Sequence, residues 1–203
     1  MTHTQRFIAW MERFADLVDE HAGELTELDR LIGDGDHGVN MVRGMTAVRA
    51  LSTEEFADPT EYLKKVGLTL VAHVGGAAGP LYGTFFMKMA AALPHKDLDA
   101  PGFIAALENA VMGVQTRGKA NRGDKTMLDA LLPAAEAAHA HPESLSAAIS
   151  AAHTAACRGA QATIQMIAHK GRASYLGPRS CGVQDPGSAS SVLLLHAAEV
   201  LGE

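Results

Sequence analysis

The sequence predicts an all-α fold, a bundle of about eight helices that forms one domain over residues 1–203. Apolar residues recur three and four positions apart along most of the chain, and no segment alternates as a β-strand does. The composition agrees, since 47% of the residues are hydrophobic and only 5% are aromatic. Alanine fills much of this difference, and small side chains allow helices to pack closely.

Glycine and proline divide the first third of the chain into helices. Thr4 precedes the first apolar repeat and is a suitable cap, and Asp58 with Pro59 marks a later helix start. The segment 24–31 is polar but has a helical pattern. The predicted helices are therefore 4–21, 24–31, 39–51 and 59–73.

The rest of the chain follows the same pattern. Glycines within 75–83 interrupt it, Pro101 opens a helix, and Asp124 is suited to cap the next one. An alanine-rich helix begins at Pro142 and is expected to end near Lys170, where a basic residue precedes a glycine. The predicted helices are 84–93, 101–116, one from Asp124 through Leu132, 142–170 and, after an irregular segment 172–187, 188–201.

Charge and cysteine content exclude several classes of protein. A net charge of −6 without a basic stripe argues against a nucleic-acid partner. Cys157 and Cys181 have neither metal-binding nor redox spacing, which fits a reducing compartment. No apolar run approaches membrane-spanning length, and the N-terminus lacks a signal-peptide pattern. We expect a soluble cytoplasmic protein that binds neither nucleic acid nor membrane.

The densest group of functional side chains is acidic. Asp29, Asp34 and Asp36 lie within eight positions, and the glycines among them let the backbone turn. Converging carboxylates repel one another unless a cation compensates, and oxygen ligands without cysteine suit Mg²⁺ or Ca²⁺. Because apolar residues flank the acids, we interpret them as a metal site. A loop of solvated acids is the alternative.

Three familiar motifs match only in part, and we reject them. Residues 33–38 spell G-x-G-x-x-G, but a polar helical segment precedes them where a strand is required. A calcium-loop pattern that starts at Asp34 fails at Val39, where glycine is required. A Walker A pattern that reaches Lys119 has Ala120 in place of the Ser or Thr that binds Mg²⁺.

Four polar, glycine-rich loops interrupt the helices, and an up-down arrangement would bring all four to one end of the bundle. Besides the acidic loop, segment 75–80 offers backbone N–H groups close to a helix start, which suits phosphate. We interpret the basic residues of 117–125 as solvated, and His37 as a metal ligand, a substrate contact or a structural histidine. The candidates for phosphate contacts in the last loop are Lys170, Arg172 and Arg179.

The motifs are specific in combination. They occupy residues 28–30, 33–38, 40–41, 43–44, 75–84, 117–120, 123–127, 170–177 and 184–187. Together they resemble the ADP-binding L subunit of dihydroxyacetone kinase over nearly the whole chain. This chain departs at Gly35, Ala78 and Val183, where the family usually has Ala, Ser and His.

The resemblance implies an eight-helix antiparallel barrel that binds ADP or ATP in the loops at one end. It implies that Asp29, Asp34 and Asp36 hold two Mg²⁺ ions that bridge to the nucleotide phosphates. Arg172 is the candidate phosphate clamp, and no residue is assigned as a catalytic base. The implied nucleotide-site residues are His37, Gly38, Val39, Asn40, Ala77, Ala78, Gly118, Met127, Arg172, Asp185, Pro186 and Gly187.

The resemblance also implies a reaction and partners. ATP on the L subunit passes its phosphoryl group to dihydroxyacetone on a K subunit, and a phosphohistidine carrier, the M subunit, phosphorylates the retained ADP again. At 203 residues we expect the chain to be too short to hold a K domain as well, so it needs a partner. We therefore favour this phosphotransferase-dependent kinase over an ATP-dependent kinase subunit for dihydroxyacetone or a related ketose. Two other classes stay open: a nucleotide-sensing module that binds a transcriptional regulator, and a metal-dependent phosphohydrolase whose acids activate water.

Overall fold

The computed structural model describes residues 1–52, 56–94 and 97–203 of the chain. These residues form eight α-helices and no β-strand, which confirms the all-α prediction. The helices are α1 (His3–Ile32), α2 (His37–Arg49), α3 (Pro59–His73), α4 (Ala78–Ala92), α5 (Ala100–Gly118), α6 (Leu128–His139), α7 (Leu145–Ala162) and α8 (Pro186–Ala197). Short 3-10 helices cover Thr163–Gln165, Arg172–Ser180 and Ala198–Leu201.

The helices form a closed ring. Each helix packs against the next one in sequence, and α8 packs against α1. At this closing seam Trp10 of α1 is fully buried, and its Nε1 donates a hydrogen bond to the Leu194 carbonyl of α8 at 3.0 Å. The predicted eight-helix barrel is therefore confirmed.

Because successive helices run in opposite directions, every second connection lies at the same end of the barrel, called the loop end below. The loop end consists of residues 33–36, 74–77, 119–127 and 163–185. Helices α2, α4, α6 and α8 begin there, whereas α1, α3, α5 and α7 begin at the opposite end.

The two ends differ in how the helix N-termini are capped. At the opposite end, every helix has a side chain at its N-cap that accepts a backbone N–H; these are Thr2, Asp58, Asp99 and Ser144. At the loop end, only α8 has such a cap, supplied by Asp185. The first N–H groups of a helix need an acceptor, so the loop end is suited to acceptors from other elements or from a ligand.

The N-terminal region differs from the prediction. Segments 4–21 and 24–31 are one continuous helix, and its cap is Thr2 rather than Thr4. A glycine inside a helix costs only about 1 kcal/mol relative to alanine. Gly23 therefore does not break α1, whose apolar face is buried on both sides of it.

The predicted start of α4 is too late in the sequence, and that of α6 is too early. Helix α4 begins at Ala78, not at 84, because Pro80 falls in the first turn, where proline lacks only an N–H that would be unpaired anyway. Helix α6 begins at Leu128, because Asp124 accepts a backbone N–H inside the preceding turn. By contrast, the prediction of 59–73 matches α3.

The last third also needs correction. The predicted helix 142–170 is shorter in the structure, because Ser144 caps α7 and a 3-10 turn ends it at Ala162. The segment predicted as irregular, 172–187, contains two 3-10 turns within Arg172–Ser180, which are separated by a kink at Gly177 (φ 55°, ψ −129°). The final predicted helix begins two residues earlier, at Pro186, because Asp185 is its cap.

Candidate functional site

A cavity of about 480 Å³ opens at the loop end. Such a volume lies in the range of small-molecule and cofactor sites. All four loops and the adjoining helix ends line it, with residues such as Asp29, Asn40, Ala77, Gly118, Met127 and Arg172. The up-down argument from the sequence therefore placed the loops together correctly.

The three acids converge on one side of this cavity. Asp29, Asp34 and Asp36 each present a carboxylate oxygen, and these oxygens lie within 4.8 Å of one another. Asp29 comes from the last turn of α1, and its Oδ2 accepts the backbone N–H groups of Asp36 (2.8 Å) and His37 (3.2 Å). One carboxylate thus folds the acidic loop and supplies the acceptor that the N-terminus of α2 needs.

The residues fit a hard cation. Asp29 Oδ1 is left free of the two backbone bonds to Oδ2, and a Cβ at position 33 would overlap it, so a larger residue there would displace this carboxylate. Three clustered carboxylate oxygens are ligands that Mg²⁺ and Ca²⁺ prefer. No other cluster of three metal-ligating side chains occurs in the described residues.

The start of α4 forms another part of the cavity wall. Ala77 is the N-cap of this helix and has no side chain that could accept an N–H. Ala77 and Ala78 line the cavity beside Gly75 and Gly76. Backbone N–H groups at a helix start carry partial positive charge, so this wall can bind an anion such as phosphate.

Arg172 joins the last loop to the acidic loop. Its Nη2 lies 3.0 Å from Asp34 Oδ2, although 69% of the arginine side chain is exposed. Lys170 also lines the cavity, whereas Arg179, the third predicted phosphate contact, does not. A guanidinium at the cavity mouth can bind two phosphate oxygens at once.

His37 lines the cavity, and its ring forms a hydrogen bond with α8. Its Nε2 lies 2.9 Å from Ser190 Oγ, which in turn lies 2.7 Å from the Tyr82 hydroxyl. Burial lowers the pKa of His37, although the charges of Asp29 and Asp36 oppose this effect. The hydrogen bond agrees with a structural histidine, and the position of His37 in the cavity wall agrees with a substrate contact as well.

Asp185 lies at the base of the cavity and caps α8. Its Oδ2 accepts the Ser188 N–H at 2.6 Å, and its own backbone N–H donates to Thr163 Oγ1 at 3.0 Å. Burial raises the pKa of this carboxyl from 3.8 to about 7, and the backbone hydrogen bond from Ser188 partly opposes the rise. Pro186 and Gly187 continue the cavity wall.

The remaining predicted site residues divide into two groups. Asn40, Gly118 and Met127 line the cavity, but Gly38 and Val39 do not. A Cβ on Gly38 would overlap the α1 backbone, so this residue serves helix packing. Val39 is 60% exposed and lies outside the cavity. The resemblance implied the whole run from His37 to Asn40. Because each residue of a helix turns about 100° from the last, His37 and Asn40 line the cavity whereas the two residues between them do not.

Comparison with known proteins identifies the family of this chain. The model of one protein family, described as the DAK2 domain, matches residues 31–199. The chain belongs to the DAK2 domain family. Its resemblance to the ADP-binding L subunit of dihydroxyacetone kinase is thereby confirmed at the level of the family.

Two curated relatives of this DAK2 chain are named as ADP-binding subunits. The PEP-dependent dihydroxyacetone kinase 1, ADP-binding subunit DhaL, of Listeria innocua is 44% identical over 94% of this chain and 92% of its own length. The PEP-dependent dihydroxyacetone kinase, ADP-binding subunit DhaL, of Escherichia coli is 42% identical over 97% of this chain and 95% of its own length. These relatives are subunits of a phosphotransferase.

A solved relative carries a nucleotide and a metal. The dihydroxyacetone kinase from C. freundii in complex with AMP-PNP and Mg²⁺ matches this DAK2 chain with a TM-score of 0.70 and 25% identity. The match covers 93% of this chain and 32% of that longer chain. Within the part of the DAK2 chain that the structure describes, no helix is both long and apolar enough to span a membrane.

The structure of the DAK2 chain also reveals residues that the sequence interpretation missed. Lys125, which the sequence predicts to be solvated, is 1% exposed. Asp129, which was not singled out, is buried and shapes the third loop, because its two carboxylate oxygens accept the N–H groups of Gly123 (2.6 Å) and Thr126 (2.8 Å). No local pattern marks either residue, since a charged residue in a polar loop is usually exposed.

Proposed function

We propose that this chain is the nucleotide-binding L subunit of a dihydroxyacetone kinase. It holds Mg-ADP or Mg-ATP and passes the phosphoryl group to dihydroxyacetone bound on a separate K subunit. One observation carries the proposal: a carboxylate cluster suited to Mg²⁺ and an uncapped helix N-terminus line the same cavity of about 480 Å³. A metal-bound diphosphate has the charge pattern that these two walls complement.

The chain's own residues would divide the work of binding. Asp29, Asp34 and Asp36 would hold two Mg²⁺ ions, which would neutralise the phosphate oxygens. The first amides of α4 and the guanidinium of Arg172 would orient the phosphates. The buried side chain of Met127, together with Leu81 and Val114, lines the apolar part of the cavity and suits a purine ring.

The partners follow from the chemistry of the site. Phosphoryl transfer needs positioning and charge neutralisation, and we assign no ketose-binding residue among those that line the cavity. We therefore place the sugar on a K subunit. The two PEP-dependent relatives, which this chain matches over more than nine tenths of their length, support a phosphohistidine carrier as phosphoryl donor. Residues 1–203 as one domain, the cytoplasm as its location and a transcriptional regulator as a further partner stay predictions.

Mass spectrometry of the purified native protein tests the central claim. We expect ADP to copurify and Mg²⁺ removal with EDTA to release it. Calorimetry should then give ADP binding that requires Mg²⁺. A protein that binds neither ADP nor ATP in the presence of Mg²⁺ would refute the proposal, and robust hydrolysis of phosphate esters by the chain alone would favour a phosphohydrolase.

Exchange of radiolabelled ADP decides between the two phosphoryl donors. With a coenzyme-like ADP, exchange should be slower than the turnover of the kinase reconstituted with K subunit and phosphohistidine carrier. The isolated chain should not phosphorylate dihydroxyacetone from ATP. Exchange faster than turnover, with full activity of the L and K subunits on ATP alone, would establish the ATP-dependent alternative instead.

A further inference from the structure

The ammonium group of Lys125 is enclosed by backbone carbonyls. The side chain is 1% exposed, and Nζ lies within hydrogen-bonding distance of four oxygens: Thr163 O (2.9 Å), Met166 O (3.1 Å), Ser180 O (2.6 Å) and Val183 O (2.6 Å). All four carbonyls belong to the segment between α7 and α8. A single side chain of the third loop (119–127) therefore binds both ends of the fourth loop (163–185).

Burial of this ammonium is favourable only because of these acceptors. A buried charge without partners is strongly disfavoured, and an ammonium can only donate hydrogen bonds. Burial lowers the pKa of Lys125, and the charge of Asp185 raises it. The four carbonyls replace the water that the ammonium loses on burial. The buried position of the side chain and the conformation of the segment therefore depend on each other.

The four carbonyls lie at the two ends of the segment. Thr163 and Met166 lie where it leaves α7, and Ser180 and Val183 lie where it approaches α8. Between these ends the chain extends to Arg172, whose guanidinium reaches Asp34 at 3.0 Å. Lys125 thus holds the two ends of the 163–185 segment together, and Arg172, the candidate phosphate clamp, lies between these ends.

Further hydrogen bonds stabilise the two ends of the 163–185 segment. The Gly182 N–H donates to Ile164 O at 2.7 Å, and the Ala168 N–H donates to Ser180 Oγ at 2.9 Å. The His169 N–H donates to the Asp124 carbonyl at 3.0 Å, which links the loop to the residue before Lys125. These bonds are neutral, whereas those of Lys125 are charge-assisted and stronger.

We propose that Lys125 is a positioning residue for the nucleotide site, which holds the 163–185 segment in the conformation that places Arg172 and Asp185 at the cavity. The inference rests on the proposed nucleotide-binding function. Lys125 also lines the cavity, but its ammonium points to the four carbonyls, so its charge acts on the nucleotide through these two residues. Loss of the ammonium should loosen the segment and weaken ADP binding without removing the metal ligands.

Lys119 offers a matched control. It lies in the same loop, has the same left-handed backbone conformation (φ 48° against 61° for Lys125) and is exposed. Lys125→Met and Lys119→Met therefore make the same chemical change at the same kind of backbone. We expect at least tenfold weaker Mg-ADP binding for Lys125→Met by calorimetry, and wild-type affinity for Lys119→Met.

A double-mutant cycle separates positioning from loss of stability. If Lys125 acts through Arg172, Arg172→Ala should weaken binding much less in the Lys125→Met protein than in the wild type. Limited proteolysis should cut the 163–185 segment faster in Lys125→Met, and ADP should protect it less. A residue that only stabilises the fold would lower the melting temperature and leave the two effects on affinity additive.

Each outcome of this experiment decides one question. Wild-type protein that fails to bind Mg-ADP refutes the proposed function, whatever Lys125 does. Wild-type binding together with unchanged affinity in Lys125→Met, or additive effects in the cycle, overturns the role of Lys125. Should Lys125→Met not fold by circular dichroism, Lys125→Gln, which keeps two N–H donors, takes its place with the same expected and contradicting results.

Discussion

Arg172 Nη2 lies 3.0 Å from Asp34 Oδ2 and links the last loop of the barrel to its acidic loop. With 69% of the arginine side chain exposed, solvent screens this pair, and such pairs contribute only about 0.2–1 kcal/mol to stability. The guanidinium can therefore leave Asp34 for a phosphate at little expense to the fold. The pair keeps the arginine beside the cavity and leaves it free to rearrange.

Replacement of Arg172 should weaken nucleotide binding in a graded manner. Arg172→Ala removes a charge-assisted contact, which should cost about 1.5–3 kcal/mol of ADP binding. Arg172→Lys should recover only part of this, because an ammonium lacks the planar fork of a guanidinium. Calorimetric titration with Mg-ADP measures both. Arg179→Ala is the matched control, since Arg179 lies on the same segment outside the cavity; equal losses in all three variants would contradict the prediction.

Neutralisation of the acidic cluster should abolish metal-dependent binding and leave the fold intact. Asp34 and Asp36 are exposed, and solvent screens the ion pair between Asp34 and Arg172, so Asp34→Asn and Asp36→Asn should unfold like the wild type. Both should lose the Mg²⁺ requirement of ADP binding together with most of the affinity. Asp97→Asn, an exposed change at the opposite end, is the control. Wild-type affinity in both variants would remove the metal hypothesis.

The stability of the protein should depend on pH through Asp185. Its pKa rises from 3.8 to about 7 on folding, so between these values the folded state binds a proton that the unfolded state has lost. The free energy of unfolding must then fall as pH rises through this window, by about 2–4 kcal/mol for a shift of this size.

Asp185→Asn removes this titration but keeps an oxygen to cap α8. Relative to the wild type, the variant should gain stability from pH 4 to pH 7.5 in urea unfolding with EDTA and without nucleotide. Asp99→Asn, which changes the exposed cap of α5, controls for the loss of a charged cap. Identical pH profiles for wild type and Asp185→Asn would show that this carboxyl does not titrate in the window.

Two glycine substitutions should change stability in opposite directions. A Cβ at Gly38 would overlap the Ala22 carbonyl and Thr26 Oγ1 of α1, so Gly38→Ala should destabilise the protein by about 1–3 kcal/mol. Gly23 lies in α1, where an added methyl group would have nothing within 4 Å, so Gly23→Ala should stabilise the protein by about 0.5–1 kcal/mol. Thermal unfolding measures both, and equal signs would contradict the packing argument.

Local patterns predicted most of the fold. Helical spacing of apolar residues and Asp58 with Pro59 gave α3 its bounds, and Pro101 marked the start of α5 to within one residue. The continuity of α1 could not be predicted in this way. Whether Gly23 ends a helix depends on how much apolar surface is buried on either side of it, and that burial comes from other helices.

The candidate site was predictable where its residues are close in sequence. Asp29, Asp34 and Asp36 form a cluster in the sequence itself, and Arg172 and Asp185 were found through the loop argument and the family resemblance. Lys125 could not be found, because its four acceptors lie 38 to 58 residues further along the chain. Only the assembled barrel brings the third and fourth loops together.

The hydrogen bond between Trp10 and Leu194 makes the barrel's closure visible to spectroscopy. Trp10 is the one tryptophan in the sequence, and it lies on the seam where the first helix meets the last. A rise of 1.5 Å per residue puts it roughly 30 Å along α1 from the acidic loop. Its fluorescence should therefore report when two ends of the chain nearly two hundred positions apart come together during refolding, and should respond little to what occupies the cavity.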